Sequence, residues 1–506
     1  MFVPGIRPDI VILNWLLVLP FFAALCAELF PRLTLRVSTE REAAAMRRGP
    51  FYLGAVASAM GLVLCAALLP VAASGTGVSA DYRWTEALFQ LRFRADALSI
   101  AVALAVHALA LLVFFHLLAL PEEGDAHHRG ALVLVAQGSA AAAALSSDLI
   151  LLLIFLELAV VSLWLLSSLD SRPAADRFLP TLHLGTLLLT AGVLIMWKAA
   201  TTSSISDLPL LLFAREAPVL RAMGLLILVG LLPRIACLPG HGWAPALAAA
   251  RPAAGMAAVV LTLPVGCYAL LRLLPGSLVI PLVPALPGVA LVIGLAALWW
   301  GALRTWLSRE LRQVAAWATV AQSGYMVIAI ATSPAPGGIA RLADGLHAAA
   351  LHSLLAPLAL AAVGGAAVSV LIRARTDSLA GLSGLARRMP IEAAAFLLGG
   401  LSIAGVPPLP GFWVQKLLVS CLLALRQPGL ATALVVADAL LAFAILDAFR
   451  QAFLRPQPPP ELHPISPWAP TQLALAIVGL AGCSAFMGFL LRWSEVVFRT
   501  ALTLAR

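Results

Sequence analysis

The chain has 506 residues, of which 62% are apolar and 11% carry a charge, and its formal net charge is +9. Soluble domains carry about 25% charged residues, so this composition excludes a soluble globular enzyme. Apolar stretches of the about 20 residues that a membrane span requires fill nearly the whole sequence, and the mean hydropathy is +0.99. We therefore expect one polytopic membrane domain over residues 1–506.

Composition also argues against several kinds of site. The six cysteines are scattered and form no C-x-x-C pair, so neither an iron–sulfur cluster nor a zinc site is expected. No Gly-rich phosphate loop is present, and the arginines are dispersed in short loops rather than gathered in one patch for nucleic acid. The sequence therefore predicts no cofactor, no metal and no catalytic site of its own, with the lipid bilayer around it.

Hydropathy divides the chain into about fourteen predicted spans. The first lacks an A-x-A cleavage site, so it is expected to be a retained helix rather than a signal peptide. The limits are 9–30, 51–74, 97–120, 130–147, 149–168, 178–200, 219–246, 252–274, 287–303, 312–332, 342–371, 391–425, 429–453 and 468–492. Loops after odd-numbered spans hold eighteen Lys and Arg residues, and the other loops hold eight. This bias places the odd-numbered loops in the cytoplasm and both termini on the non-cytoplasmic side.

Three of these spans contain Pro or Gly breaks, at residues 238–245, 262–264 and 404–412. The first and third share an L-P-G pattern and fall in spans seven and twelve, five apart. Broken helices at matching places in two halves are typical of inverted-repeat transporters and mark their ion sites. The residues expected to break these two helices are Pro239, Gly240, Pro245, Pro407, Pro408, Pro410 and Gly411.

Lysine is nearly absent, and one of its two copies lies inside an apolar segment. Lys198 ends a span, where it can reach the membrane surface, whereas Lys416 lies in FWVQKLLVSCLLAL. An ionisable group in hydrocarbon is costly, so it is expected to face the protein interior and to mark a proton or ion pathway. Its neighbour Gln415 supplies a donor and an acceptor. Snorkelling to the interface is the structural alternative.

Two further charges lie in apolar segments. Glu157 is deep in span five, where it is either a proton acceptor or a carboxyl kept neutral by a hydroxyl or backbone partner. Arg234 precedes the break of span seven by about one turn. It could pair with Glu157 or tie down unwound carbonyls, but it cannot release its own proton. Asp438 and Asp447 are weaker candidates, and Asp447 is expected to pair with Arg450.

Histidines supply candidate relay groups, because imidazole titrates near neutral pH. His241 lies at the first break, and His347 and His352 lie in span eleven. For these three, a relay and a structural role remain open. His107, His116 and His183 are expected to be satisfied core residues.

These motifs together resemble one family, over about residues 80–425. The segments are RFRADALSI, ALSSDLILLLIFLEL, LPGHGWAPALAAARPAAGMAAVV, ELRQVAAWATVAQSGYMVIAI and GLARRMPIEAAAFLLGGLSIAGVPPLPGFWVQK. They are similar to the antiporter-like subunits of respiratory complex I (subunits N, M and L of NADH-quinone oxidoreductase), of Mrp-type Na+/H+ antiporters and of membrane-bound hydrogenases. Subunit N of complex I and the D component of Mrp antiporters look nearest.

The resemblance implies an all-α fold of fourteen transmembrane helices. Helices four to eight (130–274) and nine to thirteen (287–453) would form inverted five-helix repeats, with helices seven and twelve broken. Residues 1–120 would be the three N-terminal helices and 468–492 the last. A proton path would run along a polar axis at mid-membrane.

The family's path residues fall only in part on matching residues here. Its glutamate falls on Glu157 and the partner lysine on Arg234. A central lysine falls on Pro264, a lysine of helix eleven on Ala356, and the exit lysine on Gln415, one place before Lys416. A shift of one residue turns a helical side chain by about 100°. The relay is therefore interrupted unless water, His241 or His352 bridges it.

Three functions follow as alternatives. The first is a proton-conducting subunit of a multisubunit ion-translocating complex, with a path through Glu157, Arg234, the histidines and Lys416. The second is a mainly structural subunit of the same type of complex that has lost translocation, as Pro264 and Ala356 suggest. The third, a stand-alone solute transporter, lacks any substrate cage. If the complex is a redox-driven pump in a bacterial inner membrane, its redox cofactors belong to partner chains.

Overall fold

The fold is known from a computed structural model that describes residues 7–33, 47–85, 89–120, 125–205, 207, 217–249, 252–274, 285–332, 343–456, 460–464, 466 and 468–503. Two β-strands and seventeen α-helices lie within these residues. The helices are α1 (Pro8–Leu33), α2 (Gly49–Ala73), α3 (Ala97–Ala119), α4 (Ala126–Leu145), α5 (Leu149–Asp170), α6 (Arg172–Ala200), α7 (Ala217–Leu231), α8 (Trp243–Ala249), α9 (Pro252–Leu273), α10 (Leu286–Trp306), α11 (Leu311–Ala331), α12 (Ala343–Ala374), α13 (Pro390–Ile403), α14 (Pro410–Ala424), α15 (Pro428–Phe449), α16 (Trp468–Ala485) and α17 (Met487–Thr503).

The helices confirm the all-α membrane class. Among the described residues, eleven helices are long and apolar enough to cross a membrane, and shorter apolar helices cover Ala257–Leu273, Pro390–Ile403 and Pro410–Ala424. The chain is therefore an integral, multi-pass membrane protein, while the count of fourteen spans stays a prediction. Helix α12 is central, because it packs against α3, α9, α11, α13, α14, α16 and α17.

A β-hairpin, which no sequence pattern predicts, precedes α3. Strand β1 (Val78–Thr85) pairs antiparallel with β2 (Phe89–Ala95). The Asp96 carboxylate caps α3 by accepting from the Ser99 amide at 2.9 Å. It also forms a buried ion pair with Arg272 of α9, which donates to Ser99 Oγ at 3.0 Å. The pair therefore joins the start of α3 to the end of α9.

Both predicted L-P-G breaks interrupt helices. After α7, the chain forms a 3₁₀ turn over Leu232–Ile235 and resumes as a helix at Trp243. Pro239 and Gly240 lie in the intervening turn, whereas Pro245 lies inside α8. Between α13 and α14, the chain passes through Gly405, whose φ of +70° belongs to the left-handed region. Pro407 and Pro408 lie in this turn, and Pro410 and Gly411 open α14.

The predicted break at residues 262–264 is wrong. Helix α9 continues through Pro264 from Pro252 to Leu273. A proline removes the one backbone donor that would bond the carbonyl four residues earlier, here that of Val260, and transmembrane helices tolerate this loss.

The last predicted span is also corrected. Instead of one helix over 468–492, the chain bends at Phe486 between α16 and α17. Helix α17 has apolar Leu490, Leu491 and Trp493 against the core, while Arg492 and Glu495 are exposed. It is amphipathic, which a hydropathy average over the whole segment conceals.

The same backbone pairing occurs at two places in the chain. Asp148, before α5, forms a bridge with Ser204 after α6, and Glu310, before α11, forms one with Ser378 after α12. Each bridge carries two backbone hydrogen bonds of 2.8–3.0 Å. This local repetition agrees with two copies of one helical unit, although the repeat limits 130–274 and 287–453 stay predictions.

Candidate functional site

The first polar cluster lies beside the 3₁₀ turn that follows α7. Glu157 of α5 accepts hydrogen bonds from Thr186 of α6 and from Arg234 at 3.3 Å. Arg234 in turn donates to Thr186 Oγ1 at 2.5 Å. The Thr186 hydroxyl therefore accepts from the guanidinium and donates to the carboxylate. The expected pairing of Glu157 with Arg234 is present in the structure.

Arg234 also bonds a backbone carbonyl, but one in the regular helix α5 and not an unwound carbonyl as its structural alternative predicts. Its side chain is only 3% exposed, and one terminal nitrogen donates to the Leu156 carbonyl at 3.0 Å. Its Nε has no hydrogen-bond partner within the described part of the chain. Arginine keeps its proton at accessible pH, so this group holds a fixed positive charge against Glu157 and anchors the turn.

His183 corrects one expectation. Instead of lying in the core, its side chain is 52% exposed, and its Nδ1 lies 2.6 Å from Glu157 Oε1. Glu157 is 23% exposed, so its carboxylate is accessible from the outer surface of the chain, next to the His183 imidazole. One helical turn separates His183 from Thr186, which places both on the face of α6 towards α5. The predicted site therefore lacked two direct neighbours of Glu157, the imidazole and the hydroxyl.

The second polar cluster surrounds the carbonyl that ends α13. Ile403 accepts from the side-chain amides of Gln322 and of Gln415, each at 3.1 Å. The helix break leaves this carbonyl without its intrahelical donor, and an unpaired carbonyl in the membrane interior is costly. Gln415, a predicted path residue, therefore has a buried amide that stabilises the break.

Gly405 makes room for Gln415. A Cβ at Gly405 would lie 1.2 Å from Gln415 Oε1, and its φ is +70°. Only glycine adopts this conformation without strain. The contact fixes the Gln415 side chain between the two half-helices.

His352 connects this cluster to α15. Its Nε2 donates to the backbone carbonyl of Gln322 at 2.8 Å, and its ring centroid lies 6.2 Å from that of Tyr325. Tyr325 is buried and donates to Asp438. Asp438, a weaker candidate by sequence, thus belongs with His352 through Tyr325, and the tyrosine is not predicted by any sequence pattern.

A cavity of about 10 Å³ opens between these groups. His352, Gln322, Ser402 and Gln415 supply its polar lining, and Ala356 lines its apolar side. This is about the volume that one water molecule requires, and a buried water needs two to four polar partners. The cluster can therefore hold a water within reach of His352.

A mostly apolar cavity lies between four of the helices, apart from the contacts of the two clusters. This cavity of about 60 Å³ lies where α8 and α9 meet α11 and α12, and Val259, Val260, Ala315 and Leu360 are among its lining residues. Its polar lining residues are Thr319 and Arg312, and Arg312 is paired with Asp377 at 2.7 Å. Pro264 is buried in the adjoining helix α9. Apart from Arg312, the described residues that line this cavity carry no titratable side chain.

Lys416 does not face the interior, which corrects the central expectation for it. Its side chain is exposed on α14, and its Nζ lies 4.9 Å from the centre of the Trp413 ring. Gln415 points inwards instead, because neighbouring helical residues differ by about 100°. The lysine therefore belongs to the outer surface of the chain.

The other histidines lie apart from both clusters in the contacts described. His241 is half-buried at the first break, where its Nδ1 lies 3.2 Å from the Pro239 carbonyl oxygen and its ring lies 5.6 Å from Trp317. His347 lies near Asp344 and Glu495 at the start of α12. His107 and His116 are buried beside Gln137 and Gln472, as expected of core histidines.

One group of side chains could hold a metal ion, although the sequence predicts none. Donor atoms of Glu28, His127 and His128 lie within 4.8 Å of one another. His128 and Glu28 are exposed, and their side chains are 3.0 Å apart. These three join α1 to α4 and lie outside both polar clusters.

Comparison with known proteins gives one consistent result. A family model described as NADH:quinone oxidoreductase/Mrp antiporter, transmembrane, matches residues 146–441. NADH-quinone oxidoreductase subunit N of Geobacillus kaustophilus (strain HTA426) is 29% identical over 437 residues, which are 79% of this chain and 81% of that protein. Subunit 14 of the Thermus thermophilus enzyme is 29% identical over 365 residues, covering 71% of this chain and 78% of that protein.

Solved structures share the fold over nearly the whole chain. A chain of respiratory complex I from Thermus thermophilus with bound NADH superposes with a TM-score of 0.79 at 20% identity, covering 97% of this chain and 98% of that one. A chain of the Mrp complex from Dietzia sp. DQ12-45-1b gives a TM-score of 0.77 at 20% identity, with the same coverage. The overall arrangement of helices is thus a known fold.

Proposed function

Because the chain belongs to the NADH:quinone oxidoreductase/Mrp antiporter transmembrane family and is an antiporter-like membrane subunit of that type, we propose that it translocates protons within a multisubunit complex. The observation that carries this proposal is the cluster of Glu157, Thr186 and Arg234 at the first helix break. A carboxylate held between a fixed cation and a hydroxyl is suited to accept and release a proton.

Each residue of the first cluster has a distinct role. Glu157 binds the transported proton. Arg234 places a fixed positive charge beside the carboxylate and passes on no proton itself. His183, whose exposed ring lies 2.6 Å from Glu157, exchanges protons between the outer surface and this carboxylate. Thr186 fixes the carboxylate and guanidinium in one geometry.

The second cluster continues the path. His352 is held by the Gln322 carbonyl, beside a cavity that fits one water. A neutral imidazole with one nitrogen donating keeps the other as an acceptor. Tyr325 and Asp438 extend the polar groups towards α15. In this scheme His352 takes the place that lysines hold in the family resemblance, and Lys416 has no part in the interior path.

One observation favours a second candidate, a structural subunit without translocation. The 60 Å³ cavity between α8, α9, α11 and α12 is mostly apolar, with Val259, Val260 and Leu360 in its lining. Protons cross such a region only when water enters it. A path through this cavity therefore requires transient hydration, and Pro264 of the same helix α9 supplies no titratable group.

The setting of the chain follows from the same family. We place it in a bacterial inner membrane with both termini on the non-cytoplasmic side, as the loop charges predict. Its partners would be sister antiporter-like subunits. Any flavin or iron–sulfur centres would lie on partner chains, where an oxidoreductase complex carries its redox chemistry.

A matched pair of threonine variants tests the proposal. Thr186→Val keeps the side-chain shape and both charges but removes the hydroxyl that joins Arg234 to Glu157. Thr181→Val, on the same helix, removes an exposed hydroxyl that donates only to the Arg177 carbonyl at 2.8 Å. The tagged chain is purified with its partners, which mass spectrometry identifies, and proton uptake is measured in vesicles.

We expect Thr186→Val to lower proton transport by about tenfold, which is about 1.4 kcal/mol and the scale of one lost hydrogen bond, with the complex intact. Thr181→Val should match the wild type. Full transport with Thr186→Val in an intact complex would contradict the proposed path and favour the structural role.

A further inference from the structure

Helix α14 presents a polar side chain on its outer face at mid-length. Trp413, Lys416, Ser420 and Leu423 follow one another at intervals of three, four and three residues, which places them on one face of the helix. Lys416, Ser420 and Leu423 are exposed, and Trp413 is half-buried. We call these four residues the Lys416 face.

Lys416 lies well inside its helix, away from both ends. Lys416 lies six residues after Pro410 and eight before Ala424, which correspond to about 9 Å and about 12 Å along a helix. Residues in this segment are otherwise apolar apart from Gln415, Ser420 and Cys421. The charge is therefore carried near the middle of an apolar helix.

The side chain also turns towards the helix break rather than extending to a polar interface. Side chains on a helix lean towards its N-terminus, and Nζ lies 4.9 Å from the ring centre of Trp413, one turn earlier. A lysine that escapes hydrocarbon extends along the helix to the polar interface. Lys416 instead turns back towards Trp413, on the side of the helix break, where a cation–π contact holds it.

Nothing in the described part of the chain neutralises this charge. The ion pairs found there are made by other residues, and Lys416 contacts only the aromatic ring. A charged group in a membrane span is costly unless it pairs with another charge or with backbone carbonyls. The face must therefore be covered by a group that supplies an acceptor at this depth.

We propose that the Lys416 face docks a transmembrane helix of a neighbouring subunit that presents an Asp or Glu carboxylate to Lys416. A lipid phosphate lies at the membrane surface, not at the depth of the helix break, and the hydrocarbon chains offer no acceptor. A carboxylate on a partner helix reaches this depth. Ser420, one turn further along, supplies a second hydrogen-bonding group to the same partner. The inference rests on the proposed role as one subunit of a larger complex.

The scarcity of lysine makes a direct test possible, because the chain contains only Lys416 and Lys198. The intact complex is treated in its membrane with dicyclohexylcarbodiimide, a hydrophobic reagent that activates carboxylates. The Lys416 amine then displaces the activating group as a urea and forms an amide with a carboxylate in direct contact. Mass spectrometry identifies the joined peptides.

We expect a cross-link from Lys416 to an Asp or Glu in a membrane helix of another subunit. Lys416→Arg should abolish the cross-link but retain the complex, because arginine keeps the charge and forms no such amide. Lys416→Leu should lower recovery of the partner subunit at least fivefold, whereas the surface variant Lys198→Leu should not.

Three results would overturn the inference. One is a cross-link from Lys416 to a carboxylate of its own chain. The second is free labelling of Lys416 by a lipid-soluble amine reagent in the intact complex, which would show that lipid covers the face. The third is unchanged partner recovery with Lys416→Leu. These experiments measure contact and assembly, so their result is independent of the proton transport measured with Thr186→Val.

Discussion

Arg234 donates a hydrogen bond of 3.3 Å to the carboxylate of Glu157, although the two residues are 77 positions apart in the chain. Arg234 lies in the 3₁₀ turn that follows α7, at the point where the regular helix ends. The same guanidinium bonds Leu156 and Thr186, so one buried cation fixes both the helix break and the candidate proton acceptor.

Replacing this cation separates its structural role from its electrostatic role. Arg234→Lys retains a positive charge beside Glu157 but cannot reach the Leu156 carbonyl, Thr186 and Glu157 together, since its one ammonium replaces two terminal nitrogens. We expect transport to persist, with stability lowered by about 1 kcal/mol for each hydrogen bond lost. Thermal unfolding and proton uptake of the assembled complex measure the two effects.

Arg234→Met should have a much larger effect. It leaves Glu157 without its cation, and breaking a buried pair costs about 3–5 kcal/mol, with the lower figure expected here because Glu157 is 23% exposed. Transport should be abolished. Equal stability of the Lys and Met variants would show that the charge at position 234 contributes nothing to the fold.

The Asp96–Arg272 pair predicts a dependence of stability on pH. Burial alone would raise the pKa of the Asp96 carboxyl, but Arg272 and the hydrogen bonds of Ser99 bring that pKa below its ordinary value. A lowered pKa contributes stability that is fully present above the unfolded pKa of about 3.9 and is lost as pH falls through the folded pKa. The wild-type midpoint of thermal unfolding should therefore fall in acid.

Asp96→Asn should remove this acid-dependent part and lower stability at pH 7 by about 3–5 kcal/mol, because Arg272 is left buried and unpaired. Asp447→Asn is the control, since its partner Arg450 is 63% exposed and exposed pairs contribute about 0–1 kcal/mol. A wild-type curve and an Asp96→Asn curve that fall in parallel below about pH 4 would contradict the assignment.

Gly405 is expected to be irreplaceable at the second break. In Gly405→Ala, the added Cβ would lie 1.2 Å from Gln415 Oε1, on a backbone of positive φ. Either the turn or the Gln415 amide must move, so the Ile403 carbonyl loses a donor. We expect at least about 2 kcal/mol of destabilisation, from strain and an unmet buried carbonyl.

Gly429→Ala provides the matched comparison, because a Cβ there meets nothing within 4 Å. It lies at the start of α15 and should leave both the unfolding midpoint and transport unchanged. If Gly405→Ala behaved in the same way, the tight contact with Gln415 would not hold the break together.

The sequence predicts the membrane class, the two L-P-G breaks and the Glu157–Arg234 pair, because each depends on strong local signals. Hydropathy identifies spans, and a charge inside one is conspicuous. It misses the hairpin before α3, whose short strands carry polar residues, and the bend at Phe486, where an amphipathic helix follows an apolar one. It also predicts a break at Pro264, where the helix continues.

Orientation of side chains is the part that sequence leaves open. Gln415 and Lys416 are adjacent in the chain, yet one is buried at the break and the other is exposed. Which of them faces inwards depends on the rotation of α14 after the break, and no local pattern fixes it. For a related reason, no sequence pattern marks Gln322, Tyr325 and Thr186. They are ordinary polar residues, and their role depends on hydrogen-bond partners that other helices place beside them.

The most direct test of proton translocation through Glu157 is proton transport by the assembled complex with Glu157→Gln. Glutamine keeps the size of the side chain and can still accept from Arg234 and Thr186, but it cannot take up a proton. Asp176→Asn, which alters an exposed carboxylate paired with Arg172, is the control. We predict that Glu157→Gln loses at least about nine-tenths of its proton transport, about 1.4 kcal/mol or more in activation free energy, while its partners are recovered in full. Unchanged transport in an intact complex would contradict this mechanism and leave the chain a structural subunit.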